Sequence, residues 1–220
     1  MPRKIQSLGL LAACSLIAAS AFAAPGPIPR PGLFFKEEWR QNAKNDEHPA
    51  TQESVGNPNL ELKLYGGGAH LQITGKAGDE ANPIHLFSGE CTSPCAVALR
   101  HKGSFADLTG LGRIRINTKM SGFHKLWPMV KLADGTWYVA NHPEGGSIRD
   151  WLWSEFNTSD LVWTKLDIAR GVTTGNPVDG VDLSKVDEIG FIDLMPASGH
   201  GPGGWFDLGQ IEVYAKAVPR

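Results

Sequence analysis

The sequence is poor in the residues that mark most familiar chemistries. Its 220 residues hold three cysteines, and neither His-Glu-x-x-His nor Gly-x-Ser-x-Gly occurs. A zincin helix and a serine-hydrolase elbow therefore have no support. The run from Gly199 to Gly204 is glycine-rich but lacks the Lys-Ser/Thr of a phosphate loop, so it reads as a turn. The seven histidines form no metal set, since His142 and His200 sit in separate loops and His101 and His124 flank strand ends. There is no basic tract and the formal charge is −2. That argues against nucleic acid as a partner, because phosphate backbones call for clustered cations. Beyond the first two dozen residues no segment is apolar enough to span a bilayer.

Those first residues are informative. Arg3 and Lys4 precede an apolar run from Leu8 to Ala19, and Ala21-Phe22-Ala23 places small residues where a signal peptidase reads. This is the order of a secretory signal, and the run is too short to cross a membrane comfortably. We expect residues 1–23 to be a signal peptide, 24–32 a Pro-rich linker and 33–220 one domain in the periplasm or outside the cell. Leu11-Ala12-Ala13-Cys14 resembles a lipoprotein box, but Cys14 lies in mid-run and a better cleavage site follows it, so lipidation is the lesser alternative. Losing Arg3 and Lys4 moves the formal charge to about −4. In an oxidising compartment Cys91 and Cys95, flanking Thr92-Ser93-Pro94, read as a local disulfide. So short a loop constrains the unfolded chain little, and the bond would pin a loop rather than hold the fold.

The body of the chain alternates with period two. Leu60, Leu62 and Leu64 alternate with Glu61, Lys63 and Tyr65; Ile114 and Ile116 with Arg113, Arg115 and Asn117; Val97 and Leu99 with Ala98 and Arg100. Val162 to Ile168 and Ile211 to Val213 repeat the pattern, which marks strands with one buried face. Asp134-Gly135 between two such runs predicts a hairpin. Only Phe35–Lys44 and Leu183–Asp187 leave room for short helical pieces, and residues 40–59 form a long polar stretch. Many short strands punctuated by Gly, Pro, Asn and Asp predict an all-β fold, a sandwich or barrel.

Four segments sharpen this. Phe105-Ala106-Asp107-Leu108-Thr109-Gly110-Leu111 leads into the strand Arg113–Lys119, and the Leu126–Leu132 hairpin follows. Trp163 then sits in an alternating strand within Glu155–Ile168. Val181-Asp182-Leu183-Ser184-Lys185-Val186 precedes Asp187–Leu194 and the closing strand Trp205–Tyr214. Over residues 96–214 this order resembles the galactose-binding-like β-sandwiches, among them several carbohydrate-binding modules and the complex I intermediate-associated protein family. The resemblance implies a single, mainly antiparallel jelly-roll sandwich whose first and last strands are neighbours. It also implies carbohydrate recognition, although its motifs are structural and support the fold better than an activity. Adjacent terminal strands would make Glu37, Glu38 and Asp207 candidates for a structural calcium, with no other cofactor expected. Relatives commonly carry an Asp just before the final-strand Ile; here Leu208-Gly209-Gln210 precede Ile211, so that role is not carried over directly.

Aromatic residues are the candidates for a glycan ligand, since ring faces stack on sugar rings while neighbouring polar groups bond hydroxyls. Trp127, Trp137, Trp151 and Trp153, with Arg113 and Asn117, form this set. Burial in a sandwich core is the competing reading for every tryptophan, and we expect it for Trp163 and Trp205. If the strands carrying Arg100, Arg113 and Arg115 are neighbours, their polar sides make a cationic patch suited to an acidic sugar. The alternative is a secreted carbohydrate-active enzyme, a lyase or glycoside hydrolase, with Arg100, His101, Arg115, Lys131 and Glu155 as the residues to test. A third reading is a periplasmic interaction or assembly factor without a small ligand.

Overall fold

A computed structural model describes residues 29–42, 47–89, 93–122, 124–144, 149–194 and 204–220. Among them, sixteen strands run in chain order. The first eight are β1 (Leu33–Glu38), β2 (His48–Pro49), β3 (Leu60–Gly66), β4 (Gln72–Thr74), β5 (His85–Phe87), β6 (Cys95–His101), β7 (Ser104–Asp107) and β8 (Arg113–Ser121). The rest are β9 (Trp127–Leu132), β10 (Trp137–Ala140), β11 (Leu152–Asn157), β12 (Trp163–Asp167), β13 (Val172–Val178), β14 (Val186–Asp193), β15 (Trp205–Tyr214) and β16 (Lys216–Pro219). Among the described residues the helical content is three short 3-10 turns, and none of their helices is long and apolar enough to cross a membrane.

The strands form two antiparallel sheets of a single β-sandwich. A seven-stranded sheet runs β11-β8-β15-β5-β4-β2, with β1 also on β15. A nine-stranded sheet runs β13-β12-β10-β9-β14-β6-β3, and β7 joins it through β14 and carries β16. The expected adjacency of first and closing strands is present in the β1–β15 pair. The Asp134-Gly135 hairpin joins β9 to β10, with the Thr136 amide donating to Asp134 Oδ1 at 2.8 Å. Phe35–Lys44 differs from its expected helix. Its first half is β1, because Phe35 and Glu37 alternate inward and Lys36 and Glu38 outward, so period two prevails there. Leu183–Asp187 likewise gives no helix, since Val186 and Asp187 already belong to β14.

Between the sheets lies one large core that includes Phe35, Leu60, Leu86, Ile114, Ile116, Phe156, Phe191, Phe206 and Ile211. Each such side chain contributes roughly 1.5–3 kcal/mol of burial. Trp163 is in this core, as expected. Glu37 also points inward and is fully buried, with its carboxylate accepting the Gly56 and Asn57 amides at 2.6 and 3.0 Å. Burial pushes its pKa up, against the lowering effect of those two hydrogen bonds.

Candidate functional site

Each sheet has an outer face, and the two are built differently. On the seven-stranded sheet, β8 turns Ile114, Ile116, Thr118 and Met120 into the core and Arg113, Arg115, Asn117 and Lys119 outward. Pairing extends this outer row sideways. Asn157, Glu155 and Trp153 of β11 lie beside Arg113, Arg115 and Asn117, and Tyr214, Glu212 and Gln210 of β15 lie on the other flank. The result is a half-buried polar and aromatic face. Arg115 hydrogen-bonds Glu212 at 2.8 Å and places its guanidinium 4.8 Å from the Trp153 ring centre. Arg113 stacks on Tyr214 at 4.1 Å. Trp153 is 40% exposed.

Trp151 arrives over the same face just before β11. Its Nε1 donates to the Ala81 carbonyl at 3.3 Å, and its ring stands edge-on to His85 at 5.3 Å. The pairing of β15 with β8 slips between Leu208 and Gln210, and a Cβ on Gly209, which lies in that slip, would stand 3.0 Å from Trp151 Cζ3. The bulge thus leaves the space the indole occupies. Below it, His85 Nδ1 lies 2.7 Å from the Pro83 carbonyl and Nε2 lies 3.3 Å from Asp207 Oδ1. Sequence reasoning missed His85: nothing local signals a histidine whose partner comes from the closing strand. Trp205 differs from its expected core position. Phe206 and Leu208 take the inward places on β15, which leaves Trp205 half-buried outside with the Lys119 ammonium 5.9 Å from its ring.

The outer face of the nine-stranded sheet is apolar instead. Ala96, Ala98, Met129, Trp137, Val139, Leu166 and Ile192 form a second cluster, with Tyr65, Trp127, Ile168 and Leu194 packed against it. Met129 is 0% exposed. The sheet curls about this cluster. A Cβ on Gly171, in the turn after β12, would overlap Pro94 Cβ, although β12 and β6 are four strand spacings, about 19 Å, apart along the sheet. The turn at 168–171 thus meets the residue before β6, and Trp137 is buried while Trp127 is half-buried.

Charges rim this layer. Glu188 accepts from Tyr65 Oη at 2.6 Å and from Lys131 Nζ at 2.8 Å; burial first, then this hydrogen bond, push the Tyr65 hydroxyl's pKa up. Asp187 accepts from Arg100 Nε at 3.0 Å and from Arg220. Burial pushes the Asp187 carboxyl up, but the two guanidiniums together hold it below the usual aspartate range.

The sequence-derived sets are thus divided. Trp151, Trp153, Arg113, Asn117, Arg115 and Glu155 share the outer face of the seven-stranded sheet, while Trp127, Trp137, Arg100 and Lys131 belong to the other. The expected cationic patch does not form, because β6 and β8 are in different sheets and Arg115 is already paired with Glu155 and Glu212. His101, at the end of β6, packs on Phe34, and burial, then the Arg220 charge, lower its pKa. The calcium candidates are not one donor set: Glu37 faces the core, Glu38 pairs outward with Lys36 at 2.6 Å, and Asp207 faces His85. Among the described residues no three His, Cys, Asp or Glu side chains are grouped to hold a metal ion. Cys95 is buried at the start of β6; Cys91 and Cys14 lie outside the described residues, as does the leader.

No protein-family model and no curated protein sequence matches this chain. Solved structures do. A family 11 carbohydrate-binding module from Clostridium thermocellum, in complex with a beta-1,3-1,4-mixed-linked tetrasaccharide, is similar over 84% of this chain and 98% of that one, with 14% identity and a TM-score of 0.44. The family 11 module of a cellulosomal cellulase of the same organism is similar over 77% of this chain and 95% of its own, with 14% identity and a TM-score of 0.43. An exo-beta-agarase is similar over 83% of this chain, which spans 25% of the agarase, with 12% identity and a TM-score of 0.41. At TM-scores below 0.5 these likenesses carry no inference about ligand or activity.

Proposed function

We propose that this chain is the carbohydrate-binding domain of an exported protein, and that the glycan lies on the outer face of the seven-stranded sheet across Trp153. The observation that carries this reading is the exposure of the Trp153 ring within a row of amide, guanidinium and carboxylate groups. An aromatic plane flanked by both donors and acceptors is what a sugar ring with its hydroxyls requires. Arg115 stacked near the indole fixes its orientation, so little conformational freedom remains to be lost on binding. The signal-like leader supports an extracellular setting, and a Cys91–Cys95 disulfide belongs to the same reading. The enzyme alternative gains nothing from the geometry, as Arg100 and Lys131 lie on the opposite sheet from Arg115 and Glu155.

A glycan array probed with the purified domain, with mass analysis of every retained sugar, tests this. Retention of unaltered glycans, lost on Trp153→Ala and kept on Trp127→Ala, is the expected result. Retention that depends on Trp127 and ignores Trp153 would move the site to the other sheet; a shortened or unsaturated product would make the protein an enzyme.

A further inference from the structure

The proposed glycan face has a distinct end. Where β8 begins and β11 finishes, the 3-10 turn Thr158–Asp160 follows, and Arg30 approaches from the segment before β1. Between them lies a cavity of about 320 Å³. Its walls carry Arg30, Arg113, Glu155, Asn157, Ser159 and Asp160, and Leu111, 40% exposed, adds an apolar surface.

Two features make this cavity suited to a ligand. Among the described residues Arg113 Nε has no hydrogen-bond partner, and the Glu155 carboxylate stands 3.6 Å away. The guanidinium stacks on Tyr214 and is ion-paired with Glu155, its Nε buried beneath. Asp160 is oriented from both sides: Asn157 Nδ2 donates at 3.1 Å and Ser159 Oγ at 3.0 Å. The walls thus place donor-only guanidiniums beside acceptor-only carboxylates, two of each. A carboxylate ligand would meet Glu155 and Asp160 repulsively, and an ammonium would meet the arginines so. A hydroxyl both donates and accepts, and adjacent hydroxyls on a sugar bridge such mixed walls.

Resting on the glycan reading above, we propose that this cavity is a chain-end subsite: it takes the terminal residue of a neutral glycan whose preceding units run along β8 and β11 toward Trp153. Trp153 and Asn157 are four residues apart on β11, about 14 Å of strand, which leaves room for internal units between the stacking ring and the cavity. On this proposal the Thr158–Asp160 turn beside the cavity ends the path of the chain, so that the protein distinguishes an end from an interior.

The test uses the full mature chain and calorimetry with cello-, laminari-, xylo- and mannohexaose. Each sugar is measured intact, borohydride-reduced at one end, and methylated at the other. For a hexaose that binds, one of the two end modifications is expected to weaken affinity tenfold or more. Arg113→Lys and Asn157→Ala are each expected to erase that difference while leaving the melting temperature within a few degrees. Equal affinity for all three forms, with binding still lost on Trp153→Ala, overturns the subsite and leaves the face intact as a glycan site. Absence of binding by every hexaose, or binding indifferent to Trp153, overturns the underlying reading and the subsite with it.

Discussion

The two outer faces of this sandwich begin from the same alternation and arrive at opposite ends. On β8 the residues between the core positions are Arg113, Arg115, Asn117 and Lys119, all half-buried and open to a partner. On β6, β9 and β10 the corresponding outward residues are Ala96, Ala98, Met129, Trp137 and Val139, and all are buried. A Cβ on Gly190 would meet Val97 and Ala98 of β6, so β14 and β6 approach closely there, and Gly171 stands against Pro94. The nine-stranded sheet therefore behaves as a strand layer buried on both sides, while the seven-stranded sheet keeps one side available. An aromatic residue on the nine-stranded sheet's outer face, such as Trp137, is buried; one on the seven-stranded sheet's outer face, such as Trp153, stays exposed.

That contrast is best broken at its centre. Met129→Ala removes a fully buried side chain from the closed face and is expected to cost about 2–5 kcal/mol, read by urea denaturation at constant m-value. Asn117→Ala on the open face is expected to stay within about 0.5 kcal/mol in the same experiment. A Met129→Ala cost below about 1 kcal/mol would mean that the closed layer is not packed as described. Trp153→Ala reverses the pattern, with stability nearly unchanged and glycan affinity reduced by roughly thirtyfold, the scale of a hot-spot residue of about 2 kcal/mol. Affinity electrophoresis and a thermal melt on the same sample check both halves.

The sequence was legible where a polar residue enforced the alternation. Arg113, Arg115 and Asn117 could not be core, so the faces of β8 were plain, and the single antiparallel sandwich followed from many such runs together with the galactose-binding-like order of segments. Alternation with the core residues Leu126 and Val130 turns Trp127 and Met129 to the outer side of β9, but the burial of Met129 was hidden because periodicity tells which way a side chain points and not what covers it. The near-continuous apolar runs Cys95–Leu99 and Trp137–Ala140 were the available signal, as strands buried on both faces read that way. Sheet membership was not legible at all. Whether Arg100 and Arg115 are neighbours depends on pairings far apart in sequence, and the same holds for His85 with Asp207 and for Trp151 above Gly209.

The charged rim offers a smaller effect with a defined sign. Asp187 has a folded pKa below its unfolded one, so its contribution is present above the unfolded aspartate value near ~3.9 and is lost as pH falls through the folded value. Asp187→Asn is expected to lower stability at pH 7 by about 1.5 kcal/mol, the scale of a charge-assisted hydrogen bond, and to flatten the dependence below about pH 4. Glu37 acts in the other direction, since its raised pKa makes stability decline as pH rises through that value. The quantity to follow is therefore the difference between wild type and Asp187→Asn across the acid range. A constant difference from pH 3 to 7 would show that Asp187 matters by packing and not by charge.

The smallest effect probes the open face where it is most finely built. Gly209 occupies the slip in the β15–β8 pairing, and a Cβ there would meet both Trp151 Cζ3 and Asn117 Oδ1 at 3.0 Å. That is tighter than ordinary van der Waals contact, so Gly209→Ala must displace one neighbour. Trp151 is tied by the Ala81 carbonyl and the edge of His85, whereas Asn117 extends from a strand whose backbone is paired on both sides. The indole, held by one 3.3 Å hydrogen bond and an edge contact, is the group expected to lift outward. Gly209→Ala is expected to cost about 1 kcal/mol through overpacking and to reduce glycan affinity only severalfold, since Trp153 remains in place. The indole's displacement is read as a change in near-ultraviolet circular dichroism that Trp151→Phe removes. An unchanged spectrum with unchanged affinity would mean that the bulge absorbs the methyl group and that Trp151 is seated by His85 and Ala81 alone.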